Sequence, residues 1–247
     1  MKKPKRFVAV SDNHGDEIDP ICESAFFRWL AGWRPDVVFH AGDNWNFAAM
    51  RKGASPEDKR VSLASDLEAG VRFFQRLFAH GSERFFLRGN HDERLWDLLH
   101  SNDAVYSAHA KKGTQDIETL CRKHCVQMRP YDVEDGVLEY GKLRIVHGYA
   151  CGIGAAAKHA RAYGHCLFGH THTQDVMPVE NVGAPAVALG IGCLLRIKQE
   201  YARANMSRLR HQNGWVYGLI FDDGTHQLFQ AKRIGDNFYA ASQIKRV

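Results

Sequence analysis

Short apolar runs alternate with longer amphipathic segments through the first ninety residues of the chain. The runs at 7–10, 36–40 and 84–87 have the length and composition of buried strands. Between them, Asp19-Pro20 places a capping residue and a proline at a helix start, and residues 55–58 are expected to begin a longer second helix. This alternation predicts βαβ units, and the right-handed crossovers of such units predict a parallel sheet.

The pattern changes in the second half of the chain. Strands are predicted at 142–146 and Cys166–Phe168, on either side of a helix over Ala155–Tyr163. The sequence Asp222-Asp223-Gly224 is typical of a hairpin turn. The short alternating runs beyond residue 172 lie at 175–179, 186–189, 215–221 and 226–231. The predicted fold class is therefore α/β with mixed sheets, parallel first and antiparallel later.

No linker-like composition or internal repeat divides the chain, so we predict a single domain over residues 1–247 with a cap-like insertion at about 101–130. The formal charge of +5 and the pI of about 8.9 suit an anionic substrate but are too small to indicate nucleic acid. The six cysteines form no C-x-x-C pair, which is typical of a reducing compartment. No apolar stretch approaches the ~18 residues of a membrane span, so we expect a soluble, cytoplasmic protein without a membrane partner.

Five of the predicted strands are each followed by a cluster of residue types that bind divalent cations. Ligands gather beyond the carboxyl ends of parallel strands, so the clusters are expected to converge on one rim. Asp12 and His14 are two positions apart in a segment expected to be extended, which points both side chains the same way. The five clusters are Asp12-Asn13-His14-Gly15, Gly42-Asp43-Asn44, Gly89-Asn90-His91-Asp92, His147-Gly148 and Gly169-His170-Thr171-His172.

The donor types in these clusters favour particular metals and a particular reaction. Carboxylate, imidazole and amide groups without thiolate suit manganese, iron or zinc. Two divalent ions, two aspartates and one hydroxide leave a net charge of about +1, which suits a phosphodiester with its single negative charge. His91 is then placed to protonate the leaving oxygen, and Asp92 is expected to orient that imidazole and to raise its pKa.

The five clusters, in this order, resemble the calcineurin-like metallophosphoesterases, whose pattern is D-x-H, G-D, G-N-H-[DE], H and G-H-x-H. The match extends over residues 12–172, about two thirds of the chain. The resemblance implies a four-layer α/β/β/α sandwich, and the G-H-T-H ending argues against the protein serine/threonine phosphatase branch. The G-N-H-D-x-R-L sequence, followed by a late basic stretch, also resembles phage-borne and prophage-borne members, for which the location would be the host cytoplasm.

The resemblance also implies roles for individual residues. His91 would be the catalytic acid, and a metal-bridging hydroxide would attack the phosphate ester. The implied cofactor is a pair of divalent ions, with manganese preferred over iron, zinc or nickel. The implied ligands form two sets that share Asp43 as a bridge: Asp12, His14 and His172 for one ion, and Asn90, His147 and His170 for the other.

Three functions stay open on the sequence alone. The first is a phosphoesterase, favouring diesters, that acts on a nucleotide or another small phosphate ester. The second uses the same site as a DNA or RNA nuclease, with the basic stretches at 107–130 and 194–210 as a track; the alternative for these stretches is a solvated face. The third is a non-catalytic scaffold stabilised by its metals. Asn44, Trp45 and Arg94, next to the clusters, are candidates for substrate binding; the alternatives are that Trp45 packs and that Arg94 pairs with acids on its helix.

Overall fold

A computed structural model describes residues 3–56, 58–180, 185–197 and 210–241. Two β-sheets form the middle of the protein, and helices cover them. The helices are α1 (Pro20–Trp33), α2 (Leu63–Leu77), α3 (Asn90–Asp97), α4 (Ala104–Lys123) and α5 (Ala155–Tyr163). The strands are β1 (Lys5–Val10), β2 (Val37–His40), β3 (Glu83–Leu87), β4 (Gln127–Arg129), β5 (Leu138–Tyr140), β6 (Leu143–Val146), β7 (Cys166–Phe168), β8 (Val176–Val179), β9 (Ala186–Gly190), β10 (Gly214–Ile220), β11 (His226–Ile234) and β12 (Asn237–Tyr239).

Both sheets are mixed, as the sequence predicted. The larger sheet has the strand order β12-β11-β10-β1-β2-β3-β4, in which β1 to β4 are parallel and β10 to β12 are antiparallel. The smaller sheet has the order β5-β6-β7-β9-β8, with a parallel centre and an antiparallel strand at each edge. The hairpin between β10 and β11 turns at Gly224, whose φ of 79° is available to glycine without strain.

Successive residues of the central strands face two different hydrophobic cores, because side chains alternate across a sheet. In β1, Phe7 and Ala9 lie in the cluster that joins the two sheets. Val8 and Val10 lie in the cluster beneath α1, α2 and α4. A third cluster packs α5 against the outer face of the smaller sheet. The order of layers is therefore helix, sheet, sheet, helix, which confirms the four-layer arrangement that the resemblance implied.

The starts of the first two helices show how far local signals reach. The Asp19 carboxylate caps α1 by accepting hydrogen bonds from the amides of Ile21 (2.8 Å) and Cys22 (3.3 Å), as expected. The predicted start of α2 at 55–58 is wrong. Ser55 and Asp58 bond to each other across a single short turn, and the helix begins later, after Ser62 caps it.

The segment at 101–130, predicted as an insertion, contributes α4 and β4. β4 pairs with β3 in parallel at the edge of the larger sheet. On α4, Ala110, Ile117 and Cys121 enter the same hydrophobic cluster as α1 and α2. The segment therefore supplies the last strand–helix–strand unit of this sheet. The assignment of the whole chain to one domain stays a prediction. Among the described residues, no helix combines the length and the apolarity needed to cross a membrane.

Candidate metal centre

The five polar clusters lie at the carboxyl ends of five strands. β1, β2 and β3 of the larger sheet present the first three clusters, and β6 and β7 of the smaller sheet present the last two. Because the two sheets pack face to face, their strand ends meet at a common edge. The side chains brought together there, called the donor cluster below, are Asp12, His14, Asp43, Asn90, His147, His170 and His172.

One half of the donor cluster consists of Asp12, His14 and His172. The Nε2 atoms of the two histidines are 3.2 Å apart. Oδ1 of Asp12 lies 3.3 Å from Nε2 of His172 and 3.8 Å from Nε2 of His14. These three donor atoms all lie within 4.8 Å of one another, which is close enough to bind one cation.

The other half is built around Asn90, whose Oδ1 atom lies 3.0 Å from Nε2 of His147 and 2.8 Å from Nδ1 of His170. Asp43 lies between the two halves. Its Oδ2 atom is 3.4 Å from Nε2 of His147 and 3.8 Å from Nε2 of His14. A carboxylate that reaches one histidine from each half is in the position of a bridge between two cations.

The backbone of the donor cluster is strained in a consistent way. Five of its seven residues have left-handed φ angles between 50° and 65°: Asp12, His14, Asp43, His170 and His172. The extended conformation expected around Asp12 and His14 is therefore wrong. The first two loops are instead tied together by hydrogen bonds from the Asp12 amide to the Gly42 carbonyl (3.0 Å) and from the His14 amide to the Asp43 carbonyl (3.0 Å). Left-handed backbone costs a non-glycine residue about 1–2 kcal/mol, and such strain concentrates at functional sites.

The chemistry of the donor atoms tests whether this cluster fits metal ions. Nδ1 of His147 donates to the Ala41 carbonyl (2.7 Å), so its Nε2 atom faces the oxygens of Asp43 and Asn90. Donor atoms that face each other at these distances need a proton or a cation between them. The set of imidazole, carboxylate and amide donors suits borderline divalent metals, so the residues fit a pair of such ions.

The pKa values show the same demand for positive charge. Burial raises the pKa of Asp12, but the neighbouring His172 outweighs it and lowers that pKa to about 2. Burial lowers the pKa of His147, but the Asp43 carboxylate outweighs it and raises that pKa to about 9. Burial lowers the pKa of His14 and of His170. The cluster therefore combines ionised carboxylates with neutral rings at His14 and His170, whereas His147 carries a proton that a cation would displace on binding.

His91 lies beside the donor cluster, with its ring 4.5 Å from that of His14, centroid to centroid. Its Nδ1 atom is 2.8 Å from Oδ1 of Asn46 and 3.1 Å from the carbonyl of the same residue. Both partners are acceptors, so Nδ1 carries a proton. Nη2 of Arg94 lies 3.3 Å from Nε2 of the imidazole. Burial lowers the pKa of His91 to about 4. The charge of Asp43 raises this pKa, and the charge of Arg94 lowers it.

Asp92 has a different part from the one predicted. Its carboxylate is fully buried and accepts hydrogen bonds from the amides of Asp43 (2.8 Å), Trp45 (3.0 Å) and Gly89 (2.8 Å). Burial and the charge of Asp43 raise the pKa of Asp92 to about 8. The prediction that Asp92 orients the His91 imidazole and raises its pKa is therefore wrong: Asn46 orients that ring, and Asp92 ties the second cluster to the third.

Two of the residues predicted to bind substrate lie in different surroundings. Asn44 is fully buried, and its side-chain amide donates to the Gly70 carbonyl (3.2 Å). A substrate does not reach a side chain in this position, so that prediction is corrected to a packing role. Arg94 is half-buried, and Nη1 donates to the Asn46 carbonyl (2.7 Å) beside His91. Its guanidinium thus lies close enough to the His91 imidazole to contact a phosphate bound beside that ring.

Sequence reasoning missed two residues at this site. Asn46 follows Asp43 by three positions, so its place in the same loop was the signal that could have identified it. The His211 ring lies 4.6 Å from that of His172, centroid to centroid, and no motif marks it. Of the basic stretch at 194–210, Lys198, Arg203 and Arg208 lie outside the described residues.

No protein-family model and no curated protein matches the chain. Solved structures similar to it include a phosphatase from Mycoplasma pneumoniae, with a TM-score of 0.47, 11% identity and coverage of 94% of this chain and 95% of the other. Yfce, a phosphoesterase from E. coli, has a TM-score of 0.40 and 16% identity over 91% and 97%. The nuclease MPE from Pseudomonas putida has a TM-score of 0.40 and 12% identity over 86% and 84%. At these scores the similarity adds no argument about chemistry, which rests on the residues of the donor cluster.

Proposed function

We propose that this chain, whose fold and order of motifs are those of the calcineurin-like metallophosphoesterases, hydrolyses phosphate esters with a pair of divalent ions. One observation carries the proposal. Seven donor side chains from five strand ends meet in two half-sites, and the Asp43 carboxylate lies between a histidine of each half. Two-cation sites with a shared ligand are suited to displacement at phosphorus.

The donor cluster would hold the two ions, with Asp43 bridging and the other six side chains divided between the halves described above. When bound, such ions supply Lewis-acid stabilisation of phosphoryl oxygens and lower the pKa of water. Manganese is the metal we favour, because the donors are mixed nitrogen and oxygen groups without thiolate. A diester is the favoured substrate, since its single negative charge matches a centre of about +1.

His91 is the proposed proton donor to the leaving oxygen. Asn46 accepts the Nδ1 proton, which leaves Nε2 as the nitrogen that can give a proton to the substrate. An anionic phosphate nearby favours the protonated imidazole and so offsets the effect of burial. Arg94, whose guanidinium lies 3.3 Å from the same Nε2 atom, is the proposed ligand of a phosphoryl oxygen.

Assays of the manganese-loaded protein separate the three candidate functions. We expect turnover of bis-(p-nitrophenyl) phosphate to exceed that of the monoester. On α4, Lys112 and Arg122 pair with acids one turn away, which is typical of a solvated face, so a nuclease is an outcome of the assay and not the proposal. Salt-sensitive cleavage of labelled oligonucleotides would support the nuclease. Full metal occupancy without turnover of any ester would support the scaffold.

Replacement of the proton donor provides the sharpest test. We expect His91→Asn to lower turnover of esters with poor leaving groups by ~10²–10⁴-fold, because proton transfer contributes about that much. Elemental analysis should show the metal content of wild type. His109→Asn, an exposed histidine on α4, is the matched control and should behave as wild type. Loss of metal from His91→Asn in parallel with activity would show that His91 is a metal ligand.

A further inference from the structure

A cavity of about 210 Å³ opens beside the donor cluster, between the loop after β4, the end of β6 and the end of α5. We call it the tyrosine pocket. It is larger than the ~150 Å³ cavity that holds a benzene molecule in another protein. The residues of its lining used here are Arg88, Tyr131, Asp132, His147, Tyr149 and Tyr163.

Two of the three tyrosines are held in place by their hydroxyl groups. Tyr131 donates to the Gly148 carbonyl (3.2 Å), and Tyr163 donates to the Val133 carbonyl (3.2 Å). The Tyr149 side chain is 44% exposed, and its ring stands nearly perpendicular to that of Tyr163, at 6.0 Å between centroids. Fixed aromatic side chains around an open space are suited to a planar aromatic ligand.

The pocket shares a wall with the donor cluster. His147 lines the cavity, and Nε2 of the same ring faces Asp43 and Asn90. The Tyr131 ring packs edge-to-face on His147, with centroids 5.6 Å apart. A group esterified to a phosphate at the donor cluster is therefore within reach of the pocket.

Charged side chains are also present in the lining. The Arg88 guanidinium lies 3.1 Å from Oε2 of Glu93 and stacks over Trp96 at 4.2 Å. Asp132 also lines the cavity, on the loop after β4. An aromatic pocket with a cation and a carboxylate suits a ring with hydrogen-bonding edges better than an aliphatic chain, which makes no use of either charge.

We propose that the tyrosine pocket binds the nucleobase of a nucleotide ester whose phosphate lies at the donor cluster. The proposal rests on the proposed function and narrows its substrate class to nucleotides. One base fits the cavity, and its face would stack on Tyr149, the most exposed of the three rings.

The test compares two unactivated diesters that differ in their planar groups. Dithymidine phosphate carries bases and bis(glyceryl) phosphate does not, and phosphorus NMR measures kcat/KM for both with the manganese-loaded protein. We expect wild type to prefer the thymidine ester by about ten-fold or more, as base stacking on an aromatic ring implies. Tyr149→Ala should bring the preference close to one, and Tyr149→Phe should retain it. Tyr239→Ala, an exposed tyrosine on β12, is the control and should leave the preference unchanged.

A binding measurement separates failure of the pocket from failure of the proposed function. Saturation-transfer NMR with thymidine and metal-free protein should show contact in wild type and in Tyr149→Phe but not in Tyr149→Ala. Equal rates on the two diesters, or a preference that survives Tyr149→Ala, would overturn the pocket. If bis-(p-nitrophenyl) phosphate is not cleaved either, the proposed function fails and the thymidine measurement alone decides about the pocket. Competition by thymidine 5′-monophosphate and by a ten-residue oligothymidylate distinguishes a free nucleotide from a strand end.

Discussion

The donor cluster and the tyrosine pocket share the His147 ring, but the chain builds them in different ways. Every residue of the donor cluster lies within four positions of a strand end, and the first two loops that carry it are joined by main-chain hydrogen bonds. The pocket takes its lining from the ends of β3 and β6, the loop after β4 and the end of α5. Two of its tyrosines are held by hydroxyl groups that donate to main-chain carbonyls, as Tyr131 does to Gly148.

Because of this difference, we expect the donor cluster to determine the reaction and the pocket to determine which substrate is preferred. Main-chain hydrogen bonds and the buried side chain of Asp92 hold the loops that carry the donor atoms, so the reacting geometry depends on the packing of the strand ends. The pocket depends on side chains, and a substitution such as Tyr149→Ala changes its shape without breaking a strand pairing. Changes to the donor cluster should therefore affect every substrate, and changes to the pocket should affect only the choice among substrates.

Asp43→Asn is expected to have the largest effect, because its carboxylate is the group that reaches both halves of the donor cluster. The amide has no negative charge to hold two cations. Activity on all esters should fall by about 10³-fold or more, since Lewis-acid stabilisation contributes several kcal/mol. Elemental analysis should find fewer than two ions per chain. If Asp43→Asn retains both ions and activity near wild type, Asp43 is not the bridging ligand. The contrast between the donor cluster and the pocket would then lose its support.

The same contrast explains how much the sequence could predict. The strands β1 to β3, the cap and proline of α1 and the hairpin at Gly224 follow from signals within a few residues, and the structure confirms them. The convergence of the five clusters follows from one topological rule about strand ends. These features depend on local chemistry and parallel pairing, which a single sequence displays.

Other features depend on contacts between distant residues. The sequence predicts that Asp92 orients its neighbour His91, but its buried carboxyl group accepts hydrogen bonds from three amides. Two of these amides lie in the loop after β2, about fifty residues earlier in the chain. Left-handed backbone at Asp12 and His14 results from hydrogen bonds to that loop. The pocket tyrosines belong to no motif. Packing selects such partners, and spacing along the chain does not encode them.

Asp92→Asn tests whether the hydrogen bonds from main-chain amides to the Asp92 side chain hold the donor cluster in place. The amide can accept from its oxygen, but its NH₂ group would face N–H donors that the carboxylate now satisfies. We expect the free energy of unfolding of the metal-free protein to fall by about 2 kcal/mol, because at least one buried main-chain N–H loses its acceptor. Metal affinity should fall by about 10–100-fold, as for other residues that hold metal ligands in place.

Urea denaturation and metal titration measure these two effects. Asp97→Asn, an exposed aspartate on the same helix, serves as the control and should match wild type in both. Wild-type stability and metal affinity in Asp92→Asn would mean that the loops are held by other contacts.

The smallest expected effect compares an aspartate near the donor cluster with one in the pocket. Asp66, below the donor cluster, accepts from the amides of Asn46 (3.0 Å) and Phe47 (2.7 Å). Asp132, in the pocket, accepts from the amides of Glu134 (2.7 Å) and Asp135 (2.9 Å). Both carboxylates have two main-chain partners, but Asp66 is buried and Asp132 is exposed. Burial raises the pKa of Asp66 to about 6, whereas the two amides lower the pKa of Asp132.

These shifts give opposite dependences of stability on pH. The folded pKa of Asp66 lies above the unfolded value of about 3.9, so its contribution is complete below that value and is lost as the pH rises through 6. For Asp132 the contribution to stability is present above the unfolded pKa and is lost as the pH falls through the folded pKa.

Urea denaturation of metal-free wild type, Asp66→Asn and Asp132→Asn from pH 3 to pH 7 measures both pH dependences. The stability of wild type relative to Asp66→Asn should fall by about 2 kcal/mol between pH 4 and pH 7. Its stability relative to Asp132→Asn should instead decrease at the acid end, and parallel curves for all three proteins would show that burial does not distinguish the two regions.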